Sequence, residues 1–374
     1  MSTAKRVGEL NPPERILMGP GPSNVHWRVY RALSTPVIGH LDPNFLSIMD
    51  EISEMLRALF KTQNRLTIPM SGTGSLGMET CFVNVVEPGD EVVIGVNGVF
   101  GERMCDVASR CGAEVIRVEA PWGRKIEPDI AIEAVKEHPR AKVMAVVHAE
   151  TSTGVMQPLR EIGEYLSGTE TLFLVDAVTS LAGIDLRVDE WGIDLCYSAT
   201  QKCLSVPPGL APVTLSEKAV RMLGVRKSKV QSWYLDLNMI GRYWGKERVY
   251  HHTAPISMLF GLREALRVIF DEGLERRFAR HLEAGDYLKE GLLGLGWGLF
   301  AEEGARLPML TAATVPAGFD DAGIRVSLLG DYGIEVGAGL GATKGKIWRI
   351  GLMGETARRH NVDALLSALR ELRD

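Results

Sequence analysis

The chain has 374 residues, 45% of them hydrophobic and 24% charged, proportions that exclude a disordered chain and, at roughly 150 residues per domain, suggest two domains. Lys and Arg number 42 against 47 Asp and Glu, a formal net charge of −5; without a basic surplus or basic run, no nucleic-acid partner is expected. No apolar run approaches the roughly 18–20 uncharged residues of a membrane helix, and the leading Met-Ser-Thr-Ala-Lys-Arg lacks a signal core, so no membrane and a cytoplasmic location are expected.

In chain order, MGPGPSN at 18–24 reads as a stiff turn cluster. Short β-branched runs then alternate with amphipathic stretches. Strands are expected at 65–70, 91–96, 114–118, 142–147, 171–175 and 195–198, and helices over 76–86, 101–111, 129–136 and 159–166. Continuous apolar strands separated by helices predict a mostly parallel sheet covered on both faces, an α/β fold. Near Thr253 the rhythm changes to long helical patterns at 256–270 and 274–295, strands at 309–315 and 346–350, and a helix at 361–372. This order predicts an N-terminal arm over 1–20, a large α/β domain over 21–270 and a smaller α+β domain over 271–374.

The five cysteines, at 81, 105, 111, 196 and 203, are odd in number and form no C-x2-C pair. They read as reduced, small apolar fillers. His251 and His252 are too few to argue a metal site, and none is expected.

The 40 glycines cluster at turns beside apolar runs. Gly72, Gly74 and Gly77 spell G-x-G-x-x-G after a strand and before a helix. A dinucleotide site also needs an acid about 20 residues on, but the next strand ends Gly95-Val96-Asn97-Gly98. Two readings remain: a phosphate cup of free N–H groups at a helix N-terminus, or a tight turn with Ser/Thr capping. GAGLGATKGK at 337–346 misses the P-loop spacing and has Ile347 where a hydroxyl is needed, so it reads as a loop before a strand.

Asp176 ends an apolar strand, where an ionised carboxylate is costly unless it meets a cation. Lys202 follows the next short apolar strand. An acid at a strand tip, a nearby lysine and a phosphate cup are united by pyridoxal phosphate, whose aldehyde takes a lysine amine as a Schiff base and whose pyridinium nitrogen needs a carboxylate. A buried Asp–Lys ion pair with no cofactor is the alternative.

These residues lie within longer motifs: SGTGS at 71, NGVFGER at 97, HAETSTGV at 148, LVDAVTSLAG at 174, YSATQK at 197 and VYHHTAP at 249. With them, from MGPGPSN to IWRIGLMG at 347, nearly the whole chain resembles the class V pyridoxal-phosphate aminotransferases of fold type I, most closely the alanine–glyoxylate and serine–glyoxylate (serine–pyruvate) enzymes. The resemblance implies that Lys202 forms the internal aldimine with pyridoxal 5'-phosphate and then carries the proton between substrate Cα and cofactor C4′. It implies that Asp176 pairs with the pyridinium nitrogen and that Val178 and Phe100 pack on opposite ring faces. Many relatives have Trp in place of Phe100. Thr151, a serine in some relatives, would bond the phenolic oxygen.

Thr73, Gly74, Ser75 and Gln201 would cup the phosphate; Ser75 stands where mammalian relatives carry His. Tyr250 and Thr253 would reach that phosphate from the neighbouring subunit of a homodimer with shared active sites. Arg349 would clamp the substrate α-carboxylate, a task suited to a planar guanidinium.

The implied reaction is ping-pong transfer of the amino group of a small amino acid, alanine or serine, to the 2-oxo acid glyoxylate or pyruvate. No second arginine for a dicarboxylic side chain is recognisable. Ureidoglycine–glyoxylate and 2-aminoethylphosphonate–pyruvate aminotransferases are the alternatives on the same fold. Cysteine desulfurases typically place His before the lysine and a cysteine on a late loop; here Gln201 precedes Lys202 and no cysteine follows Cys203. A non-enzymatic binding protein leaves the catalytic positions unexplained.

Overall fold

Seven strands make the larger sheet of the computed structural model, which describes residues 8–372. Their spatial order is Leu66–Ser71, Leu210–Leu215, Leu195–Tyr197, Leu172–Asp176, Val143–Val147, Glu91–Val96, Glu114–Glu119. Leu210–Leu215 is antiparallel to both its neighbours and every other pairing is parallel. The strand ends Ser71, Val96, Val147, Asp176 and Tyr197 therefore point to one edge, where open α/β sheets bind their ligands. Val143–Val147 and Leu172–Asp176 are buried along their length, as continuous apolar runs in a doubly covered sheet require.

The strands expected in this region appear within about a residue of their expected bounds, and helices Gly74–Val85, Val99–Arg110, Pro128–Glu137 and Arg160–Leu166 follow them. The sequence reading missed Leu210–Leu215, whose Pro212 argues against a central strand. Pro212 lies opposite Pro69, and its carbonyl accepts the Ser198 N–H on the other side at 2.8 Å. The two prolines are thus a non-hydrogen-bonded pair, and the ladder between their strands loses no bond there.

A second sheet runs in the order Ile16–Met18, Ile334–Ala338, Ile347–Gly351, Leu310–Thr314, Gly298–Leu299. Its core is a separate cluster that includes Trp297, Trp348, Ile350, Leu288 and Leu365, built with helices Leu274–Gly294 and Arg359–Glu371. Helix Ile256–Glu272 contributes Leu259, Leu262 and Leu266 to the larger core instead. Gly273, at φ +84°, separates it from the next helix, a left-handed conformation open to glycine at no steric cost.

Two expectations change here. Ile16–Met18, read as part of an arm, pairs in parallel with Ile334–Val336. Gly337 and Ala338, read as the start of a loop, end a strand paired with Arg349 and Trp348. Both runs are too short for a period of two to show.

Candidate active site

The strand ends open on a cavity of about 220 Å³. Beyond Leu66–Ser71 its wall takes Thr73, Gly74 and Ser75; beyond Glu91–Val96, Phe100; beyond Val143–Val147, Thr151. Asp176 and Val178 enter from the end of the next strand, and Gln201 and Lys202 from beyond Leu195–Tyr197. Residues up to 129 positions apart in sequence (202 − 73) thus meet because parallel strands bring successive loops to one edge.

Asp176 is buried and oriented by two donors. The Tyr197 hydroxyl donates to Oδ2 at 2.7 Å and the Val178 N–H to Oδ1 at 2.8 Å. Burial pushes its carboxyl up to about 6, although both hydrogen bonds pull the other way; it is still ionised at neutral pH, as a partner for a ring cation must be. Tyr197 had no signal of its own in the sequence, because an aromatic in a three-residue strand reads as core.

Lys202 packs against the Pro20–Gly21 turn. Its Nζ donates to the Pro20 carbonyl, and a Cβ on Gly21, which sits at φ +109°, would lie 2.7 Å from both Nζ and Cδ. MGPGPSN is therefore a wall against the lysine rather than only a turn. Burial, together with the charge of Arg349, lowers the lysine to about 8. A buried amine that loses its proton near neutrality is a usable nucleophile and base.

Gly74 and Ser75 open helix Gly74–Val85 behind Thr73, whose side chain makes no capping bond. A Cβ on Gly74 would stand 2.9 Å from the Ala199 Cβ and 3.1 Å from Val178. The amide groups of this turn therefore approach the cavity where a larger residue could not pack. The Gln201 Oε1 beside them is buried with no hydrogen-bond partner. Free amides at a helix N-terminus and spare hydroxyls make an anion-binding cradle, which Gln201 would join through its Nε2 donors, since Oε1 can only accept.

Glu150, absent from the sequence reading, organises the wall behind Phe100. Its carboxylate accepts the Phe100 N–H at 3.0 Å, the Ser152 N–H at 3.0 Å and the Ser152 hydroxyl at 2.6 Å. Burial raises its carboxyl and these donors oppose the rise. The field of Glu150 also reaches Asp176 and Arg349. Glu150→Ala leaves several buried donors unpaired and should cost about 2–4 kcal/mol, read as a lower urea midpoint. Glu150→Gln keeps an acceptor and should lose less than half of that. Arg103, also missed, lines the cavity with its guanidinium 5.0 Å over the Phe100 ring.

Three expected residues are not on the cavity wall. Arg349 lies in strand Ile347–Gly351, 8% exposed, with Nε donating to the Ala338 carbonyl at 2.7 Å; burial lowers its pKa and Glu150 opposes that. Tyr250 is 56% exposed and Thr253 is exposed, both in the segment before helix Ile256–Glu272. All five cysteines are free and buried. Among the described residues no helix is long and apolar enough to cross a membrane.

The chain is similar to known proteins along nearly its whole length. The family description Aminotransferase class-V matches residues 27–365. The (S)-ureidoglycine–glyoxylate transaminase of Bacillus subtilis is 41% identical, covering 96% of this chain and 91% of that one. The alanine–glyoxylate aminotransferase of Drosophila melanogaster is also 41% identical, covering 96% and 92%. A crystal structure of alanine–glyoxylate aminotransferase from Nostoc sp. superposes with a TM-score of 0.97 at 46% identity over the whole of both chains.

Pyridoxal phosphate, the cofactor of such enzymes, finds matching groups in this cavity. The cradle at Gly74 suits its phosphate, the oriented carboxylate of Asp176 its ring nitrogen, and the depressed amine of Lys202 its aldehyde. With the match spanning nearly the whole chain and the chemistry present in the cavity, the chain belongs to the class-V aminotransferases and is a pyridoxal-phosphate-dependent transaminase.

Proposed function

We propose that this enzyme moves the amino group of alanine or serine to glyoxylate, with pyruvate as a further acceptor, working as a cytoplasmic homodimer. The observation that carries the small-substrate reading is the placement of positive charge. Arg349 is buried and its field reaches Lys202, whereas Arg103, on the cavity wall, is exposed and lies over Phe100. One buried guanidinium serves one α-carboxylate, and names of relatives at about two-fifths identity include alanine–glyoxylate aminotransferase. Ureidoglycine is the alternative donor, supported by a relative of equal identity that bears that name. The exposure of Tyr250 and Thr253 suits side chains offered to a neighbouring subunit. Two separate apolar cores support a domain division into 21–270 and 271–374.

Bound pyridoxal phosphate supplies an electron sink that acidifies the substrate Cα–H bond. Asp176 keeps that sink polarised by holding a negative charge for the ring nitrogen, and Tyr197 and the Val178 N–H keep its carboxylate aimed. Thr73, Gly74, Ser75 and Gln201 would hold the phosphate, with Val178 and Phe100 on the ring and Thr151 at the phenolic oxygen. Arg349 orients the substrate through its carboxylate, which selects the bond to be broken. Lys202 Nζ accepts the Cα proton and returns it.

The test is the visible spectrum of purified enzyme titrated with L-alanine, L-serine and ureidoglycine, then with glyoxylate. The yellow band should bleach with alanine or serine and return with glyoxylate. Bleaching by ureidoglycine alone would replace the proposed donor, and a yellow protein inert to all three would reject this substrate class.

A further inference from the structure

Behind the phosphate cradle lies a group of side chains, some of them within the motifs, to which the proposed reaction gives no role. His251 stacks on Trp233 with ring centroids 4.4 Å apart and planes 14° from parallel. Its Nε2 faces the Trp233 carbonyl at 3.4 Å, and its Nδ1 lies 2.9 Å from Nδ1 of His252. Nε2 of His252 lies 3.0 Å from the Ser71 hydroxyl. Ser71 ends the strand that opens the cradle, two residues before Thr73.

Elementary hydrogen-bond bookkeeping assigns every proton in this chain. The Trp233 carbonyl can only accept, so His251 carries its N–H on Nε2 and offers a lone pair on Nδ1. His252 must then donate from Nδ1, which leaves its Nε2 to accept the Ser71 hydroxyl proton. With both imidazoles neutral, the chain runs in one direction from Ser71 to Trp233. One extra proton settles on His252 Nε2 and leaves the chain whole, because the Ser71 hydroxyl then turns to accept; only a second, on Nδ1 of His251, sets two N–H donors against each other.

We propose that His251 and His252 are positioning residues for the cofactor phosphate, tying the segment that carries Tyr250 and Thr253 to the strand end that opens the cradle. A subunit's own cup and the two side chains it offers its neighbour are then held by one continuous set of bonds. This rests on the reading that Thr73–Ser75 hold the phosphate and that Tyr250 and Thr253 reach the neighbouring site.

The surroundings favour neutral His252. Burial lowers the pKa of His252, and the positive charges that His251 and His40 would carry lower it further. The rings of Tyr234 and Tyr243 pack on it at 5.2 and 5.8 Å; the charge of Arg248 reaches Tyr243. Protonation of His252 therefore begins below the ordinary histidine range.

The test is titration of apoenzyme with pyridoxal phosphate and, separately, with phosphate-free pyridoxal, followed by protein fluorescence. His252→Phe keeps an aromatic ring but no hydrogen bond, and Ser71→Ala removes the far end of the chain without touching the rings. Each should weaken pyridoxal phosphate about five- to tenfold and leave pyridoxal unchanged. The double variant should lose no more than the greater single loss, because both cut one chain.

Equal losses for both ligands, or additive losses in the double variant, would overturn the proposal. Thr73→Ala and Tyr250→Phe separate it from the reading beneath it. If these two weaken pyridoxal phosphate selectively while His252→Phe does not, the histidine chain alone is rejected. If they do not, the phosphate-site reading fails, and selective losses in His252→Phe would have to be explained without it.

Discussion

Lys202→Ala should lower transamination about 10⁴-fold or more, because one amine both captures the cofactor and moves the substrate proton. The rest of the cavity is independent of that side chain. Asp176 stays aimed by Tyr197 and Val178, and the cradle at Gly74 keeps its amides. The variant should therefore still hold pyridoxal phosphate non-covalently, measurable by equilibrium dialysis, while turnover is lost. Normal turnover would reject the assignment of Lys202.

The wild-type lysine has a matching pH signature. Burial, aided by Arg349, lowers its pKa to about 8, so the reactive neutral amine appears at lower pH than on a surface lysine. At pH 7.5 roughly one amine in four is neutral, against roughly one in a thousand for an ordinary lysine. Acylation of Lys202 in apoenzyme, followed by peptide mass analysis, should show a midpoint near that value; a midpoint above pH 10 would contradict it.

Arg349→Ala should raise KM for alanine or serine and lower kcat/KM by about 30- to 1000-fold, the cost of leaving a carboxylate without its buried, charge-assisted partner. Arg349→Lys should recover only part, since an ammonium cannot reproduce a two-pronged contact. The Nε donor to the Ala338 carbonyl holds the side chain against the neighbouring strand, so its direction is set by the sheet. A second effect tells it from a generic loss of binding. The charge of Arg349 helps to depress Lys202, and its removal should move the acylation midpoint upward. Unchanged kinetics for both donors would refute the clamp.

The readable parts of this protein are those in which local pattern and chemistry coincide. The apolar run ending at Asp176 shows both a buried strand and a carboxylate needing a partner, and SGTGS shows both a turn and a cradle. Glu150 was invisible because its role depends on Phe100 and Ser152 folding their N–H groups around it. Pro212 misled because its acceptability depends on Pro69 across the ladder and Ser198 on the other side. MGPGPSN was legible as a turn; its approach to Lys202, together with a positive φ at Gly21, explains why Gly21 cannot carry a side chain.

By itself the sequence determined the α/β class, the cofactor chemistry and the acid–lysine pair, because these rest on residue type, short-range period and motif. The tertiary structure alone decided how far the pKa values of Lys202 and Asp176 move, which donors aim Asp176, and how His251 and His252 join the cradle to the segment bearing Tyr250. Those properties depend on burial and on distances between segments far apart in the chain, and no local pattern encodes either.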